Sequence, residues 1–169
     1  ELKLDKTDYE VGDEIEVSIK GTYRGAGLIT IEGDEVHAFK WFDTTTTATV
    51  ETIRIPKGIE GNAYVQVALL RDANSPEVFT SPLSYGVVPF SLSKKARTVQ
   101  LTIDRPERAR PGEDLVIKVS ADRKAKAVIF GVDEGILQVA GYKTPDPIKH
   151  FFKKRALQVT TWQLLDLLL

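Results

Sequence analysis

Asp133 and Glu134 are the acidic residues whose setting first invites a chemical reading, because they interrupt an apolar run in VIFGVDEGILQV. General acid–base work, or glycoside hydrolysis, needs two carboxylates that converge on one point. Adjacent residues on an extended chain point to opposite faces, so this pair does not converge. The pattern predicts a polar break instead, with the carboxylates bonding turn amides or a neighbouring arginine. His37 and His150 are isolated, with no second ligand close by in sequence, and do not compose a metal site. Lys149, His150, Lys153, Lys154 and Arg155 form a basic cluster. It reads as the solvated face of a helix, or as a docking surface for an acidic patch on a partner domain. Thr44, Thr45, Thr46 and Thr47 would suit a sugar- or ice-binding surface, but threonine is also simply favoured in strands. The chain has no cysteine, which removes disulfides, thiolate zinc sites and a cysteine nucleophile. It has no glycine-rich phosphate loop, no G-x-S-x-G elbow and no H-E-x-x-H. No catalytic, cofactor-binding or metal-ligating residue is assigned, and no cofactor or small-molecule substrate is expected.

The elements that position these residues are mostly strands. In ELKLDKTDYEVGDEIEVSIK, Leu2 and Leu4 alternate with polar residues, and Ile15, Val17 and Ile19 do the same. Period two marks half-buried strands, and Glu10-Val11-Gly12-Asp13 supplies the turn between them. The pattern returns in LTIDRPERARPGEDLVIKVS, with an offset of 99 residues from Leu2 to Leu101 and 100 from Gly12 to Gly112. A repeat of that length means two copies of one domain type, and it is the usual size of an antiparallel β-sandwich.

Within the first copy, further strands are expected at 27–32, 35–42, 45–55, 62–71 and 82–92, the last starting at an edge because of its prolines. That makes about seven strands, and Ser93 to Arg97 is a polar linker. The second copy stops early, with strands expected at 98–104, 114–120 and 125–132. In the last of these, Val128, Ile129, Phe130 and Val132 read as a buried strand. Two helices should follow. Asp146 caps the first, Pro147 starts it, and Ile148, Phe151, Phe152 and Arg155 or Ala156 share a face. The second begins at Thr160 with a capping box to Gln163 and an apolar face of Trp162, Leu165, Leu168 and Leu169. About three strands do not close a sandwich. Either strands come from elsewhere in a longer chain, or the helices and the first domain cover the open face.

Composition agrees with a folded, water-facing protein, at 42% hydrophobic and 28% charged residues over 169. A net charge of −1 argues against a nucleic-acid surface. No apolar run approaches the roughly 20 residues of a membrane helix. The chain begins at Glu1 without methionine, which reads as a fragment or a processed product. The expected fold is all-β: tandem immunoglobulin-like or macroglobulin-like antiparallel β-sandwiches, residues 1–95 and 96–169, the second incomplete with a short helical C-terminal segment.

VDEGILQVAGYKTPDP, followed by FFKKRAL and a leucine-rich end, resembles the bacterial branch of the alpha-2-macroglobulin family over about Ala127 to Leu169. In that family the matching segment lies just before the bait region, in the macroglobulin-like domain that hosts it. The resemblance implies a scaffold fragment of a protease inhibitor, not an enzyme, with the bait segment beginning shortly after Leu169. It implies proteases as partners of the full-length protein, and neighbouring macroglobulin-like domains of the same chain as contacts. It also implies a periplasmic or cell-envelope location, with lipid anchoring left open. Two other readings rest on the β-sandwiches themselves. One is a cell-surface adhesion or spacer array. The other is a carbohydrate-binding accessory module, which predicts exposed coplanar aromatics, for instance Tyr23, Trp41 and Tyr85 on one face.

Overall fold

The computed structural model describes every residue except Glu77, Val78, Thr80, Pro111 and 162–169. Contacts divide the chain into two compact units, residues 1–93 with 152–169, and residues 94–151.

In the first unit, alternation of apolar and polar side chains builds two sheets. One holds β1 (Leu2–Leu4), β3 (Glu14–Lys20) and β6 (Ala48–Arg54) in the order β1-β3-β6. The other holds β2 (Asp8–Tyr9), β8 (Leu83–Leu92), β7 (Asn62–Arg71), β4 (Gly25–Glu32) and β5 (Val36–Thr44), in the order β2-β8-β7-β4-β5. Neighbours are antiparallel except the short β2–β8 pairing. Ile15, Val17 and Ile19 leave β3 on one side and are buried, while Glu14, Glu16, Ser18 and Lys20 leave on the other and are exposed. They belong to the same core as Ile29 and Ile31 of β4, Ala63, Val65 and Val67 of β7, and Phe90 of β8. Two sheets with their apolar faces turned inward are the expected sandwich. Gly27 is needed at its place on β4: a Cβ there would sit 2.2 Å from Phe42 Cζ on β5.

Tyr9 ties the entry of the chain to this core. It is buried edge-on to Phe90, with ring centroids 5.6 Å apart. Its hydroxyl donates to Asp5 Oδ1 at 2.7 Å and accepts from the Lys6 amide at 3.0 Å. Burial and the Asp5 carboxylate push the hydroxyl pKa from 10.0 to about 12.

The second unit holds β9 (Leu101–Asp104) paired antiparallel with β10 (Lys118–Ala121). The repeat is visible in its opening turn. Asp13 N donates to Glu10 O and Glu10 N to Asp13 Oδ2; likewise Glu113 N donates to Arg110 O and Arg110 N to Glu113 Oε2. Gly12 and Gly112 both have positive φ, 97° and 84°, which L side chains avoid. The pairing register is not carried over. Leu4 faces Val17 in the first copy, whereas Ile103 faces Val119 in the second, two residues beyond the equivalent Ile117.

The strand expected over 125–132 does not form. Val128 and Phe130 are exposed at 89% and 64%. A strand needs a hydrogen-bonded neighbour and a facing layer, and among the described residues β9 and β10 pair only with each other. No described residue of 94–151 is buried. Instead a helix, α1 (Glu134–Ala140), begins at Asp133, whose Oδ1 accepts from Gly135 N at 2.8 Å and Ile136 N at 3.3 Å. Gly141 closes it in the left-handed conformation. The next helix, α2 (Pro147–Phe151), starts as expected, with Lys149 N donating to Asp146 Oδ1. It is shorter than expected and ends before Phe152. Thr160 and Thr161 are non-helical, and the remaining residues of the expected second helix lie outside the described residues.

Candidate functional site

Residues 152–161 run along the outer face of the five-stranded sheet. Asn62, Tyr64 and Gln66 alternate with the inward-facing Ala63 and Val65 on β7, so the strand period aims all three outward. Asn62 Oδ1 accepts from the Arg155 amide at 2.7 Å, and Asn62 Nδ2 donates to the Arg155 carbonyl at 3.0 Å. Tyr64 OH donates to the same carbonyl at 2.7 Å. Further on, Gln158 N donates to Gly33 O at 3.0 Å, and Gln66 Nε2 donates to Thr161 Oγ1 at 3.0 Å. Phe152 lies over Gly61. Asn62 thus offers its carboxamide acceptor and donor to the main-chain N–H and C=O of one residue, as a neighbouring strand would. We call this segment the strap.

Beside the strap's anchor points lies a polar patch that a solvent-facing sheet surface would leave wet. Thr30, Glu32 and Gln66 are outward-facing yet buried, at 7%, 2% and 9% exposure. Glu32 pairs across the sheet with Tyr64, and Thr30 with Gln66. Thr30 Oγ1 donates to Glu32 Oε1 at 2.5 Å, while Glu32 Oε2 has no hydrogen-bond partner among the described residues.

The residues singled out from sequence fall elsewhere. Asp133 caps a helix through turn amides, and Glu134 accepts from Gln138 on the same helix. His37 has Asp34 Oδ1 3.3 Å from its Nε2, and His150 lies edge-on to Phe151. Lys153, Lys154 and Arg155 are exposed on the strap and not on a helix, because the Arg155 main chain is engaged by Asn62. Thr44 and Thr46 bond within their own turn. Tyr23 is buried at 1%, its hydroxyl 2.8 Å from Ser84 Oγ, so it is not part of an exposed aromatic face with Trp41 and Tyr85. The clamp of Asn62, Tyr64 and Gln66 was not foreseen; the only local signal is three polar side chains on alternate positions of a strand.

A family model, the alpha-2-macroglobulin bait region domain, matches residues 1–139. The chain belongs to the alpha-2-macroglobulin family. The alpha-2-macroglobulin homolog of Yersinia pestis is 51% identical over 99% of this chain, which covers 8% of that protein. The alpha-2-macroglobulin of Pasteurella multocida is 49% identical, again over 99% of this chain and 9% of the relative. Among solved structures, Salmonella alpha-2-macroglobulin reacted with methylamine superposes with a TM-score of 0.56 at 25% identity, over 94% of this chain and 11% of that one. The chain therefore spans about a tenth or less of the length of these relatives. Its mostly-β architecture is that of the family's macroglobulin-like domains.

Proposed function

We propose that this chain is a scaffold segment of a bacterial alpha-2-macroglobulin-like protease inhibitor, and that the strap holds the chain where it runs on towards a bait region. In this reading a protease cuts the bait, the surrounding domains rearrange, and the protease is entrapped. The segment itself catalyses nothing. Its partners are proteases, met through the full-length protein, and neighbouring macroglobulin-like domains of the same chain. Its compartment is the periplasm or cell envelope.

The observation that supports this reading most is the way the strap is bound. Four of its hydrogen bonds to the sandwich engage the main chain of Arg155 and Gln158, so a tug on the segment is transmitted to β7 and to the end of β4. An anchored lead-in makes a cut beyond it mechanically distinct from a cut in a loose tail.

The test uses the full-length protein. Asn62→Ala with Tyr64→Phe removes the three bonds to Arg155 without touching the core. The double variant should still be cut by trypsin beyond the strap, yet retain less protease per molecule than the unmodified protein. Equal protease retention by both would overturn the anchoring role. Stoichiometric inhibition of trypsin by residues 1–169 alone would overturn the scaffold reading.

A further inference from the structure

Glu32 is buried on the outer face of the sheet, under the strap. It ends β4 with 2% of its surface exposed, although it leaves the strand on the side away from the core residues Ile29 and Ile31. A side chain on the outer face of a sheet meets water unless something lies over it. Three attachments of the strap surround this one. Tyr64, the register partner of Glu32, donates to the Arg155 carbonyl. Gly33, the next residue, accepts from the Gln158 amide. Gln66, the register partner of Thr30, donates to Thr161. The step from Gln158 to Thr161 covers about 10 Å of extended chain, and the step from Gly33 back to Thr30 is equally long. The strap therefore passes over Glu32 between one attachment and the next.

Under that cover the carboxyl group is only half satisfied. Oε1 accepts from Thr30 Oγ1, while Oε2 has no hydrogen-bond partner among the described residues. Burying a polar oxygen without a partner costs free energy, most of all when the group is charged, and water removes that cost on arrival. Opening the strap admits the water. We propose that Glu32 is a release element beneath the strap: its unpartnered oxygen opposes the hydrogen bonds that hold residues 155–161 to the sheet, so that the segment stays attached yet separates readily when pulled. Asn62 and Tyr64 set where the strap lies; Glu32 sets how easily it leaves. Thr30 and Gln66, buried at 7% and 9%, rewet in the same event. Local openings of this kind belong to the low-stability end of a fold, from which moving elements are drawn. The inference rests on the observed attachment of the strap and stands whether or not a bait region follows.

The experiment places Glu32→Gln in the full-length protein and reads hydrogen exchange on the peptides that span 155–161. Glutamine keeps the shape and the acceptor for Thr30, and an uncharged amide is easier to bury than a carboxylate. A release element predicts strap exchange about tenfold slower in Glu32→Gln than in the unmodified protein. Glu35→Gln, at an exposed neighbouring carboxylate, should leave the strap as it was. Unchanged exchange in Glu32→Gln would overturn the proposal, and faster exchange would show that the carboxyl holds the strap down. Slower exchange over β4 and β7 with the strap unaffected would overturn it too, because Glu32 would then stay dry when the strap opens. Equal slowing by Glu35→Gln would assign the effect to net charge and count against Glu32. Glu32→Met keeps the length without the polar head, serves if the glutamine variant misfolds, and should slow the strap as well. Failure of both variants to fold would make Glu32 a support of the sheet and sink the idea.

Discussion

Asn62 and Arg155 lie 93 residues apart in sequence and exchange two hydrogen bonds, the carboxamide of one with the main-chain amide and carbonyl of the other. The arginine side chain takes no part in them. Asn62→Ala should therefore release the strap, whereas Arg155→Ala should leave it in place. A net loss of about 1 kcal/mol is the ordinary cost of such bonds. That corresponds to local amide exchange about five times faster around residues 155–158. Mass-resolved hydrogen exchange on the two variants checks this; equal effects would mean that the arginine side chain carries the contact.

Gly27 and Phe42 make a second testable pair. Alanine at position 27 drives a methyl into the Phe42 ring, and overpacking of this sort costs about 1–3 kcal/mol. The urea midpoint should fall with the denaturant slope unchanged. Phe42→Leu in the same background should recover part of the loss.

The Tyr9 hydroxyl predicts an alkaline limit to stability. Burial and the Asp5 carboxylate raise its folded pKa from 10.0 to about 12, so the fold favours the protonated form. The associated stability is complete below pH 10.0, falls as pH rises from there, and is gone above about 12. Denaturant titrations across that window should show the loss, and Tyr9→Phe should flatten it at the cost of the Asp5 and Lys6 contacts. A pH-independent midpoint in the unmodified chain would contradict the assignment.

In residues 94–151, Val128, Ile129, Phe130, Ile136 and Val139 all stand in water. A two-stranded hairpin without a buried layer is marginal. Amides of β9 and β10 should exchange orders of magnitude faster than those of β3 and β7, which pair on both sides and enclose the core. An environment-sensitive apolar dye should bind the chain, and replacing Val128, Ile129 and Phe130 by serine should reduce that binding.

Much of this was legible from the sequence. Ile15, Val17 and Ile19 alternate cleanly, and β3 buries all three. The recurrence of Gly12 at Gly112 foretold two turns with the same hydrogen bonds. The two-residue change of register behind them was hidden, because a shift of two leaves every side chain on its own face and the alternation intact. The run from Val128 to Val132 misled for a different reason. Its residue types favour a strand, but a strand is a pairing, and composition does not say whether a partner is present. Asp133 and Gly141 bracket α1 with ordinary capping signals, which the apolar β-branched content had overshadowed. The strap was hard to read because most of its hydrogen bonds are made with peptide groups, which every residue carries.

That last property separates the segment's side chains from its attachment. Lys153, Lys154 and Arg155 are the letters that a protease specific for basic residues reads, and all three point into solvent. The grip on the segment reads none of them. A substitution at these positions changes the side chains that face solvent while the main-chain attachment at Arg155 stays where it is.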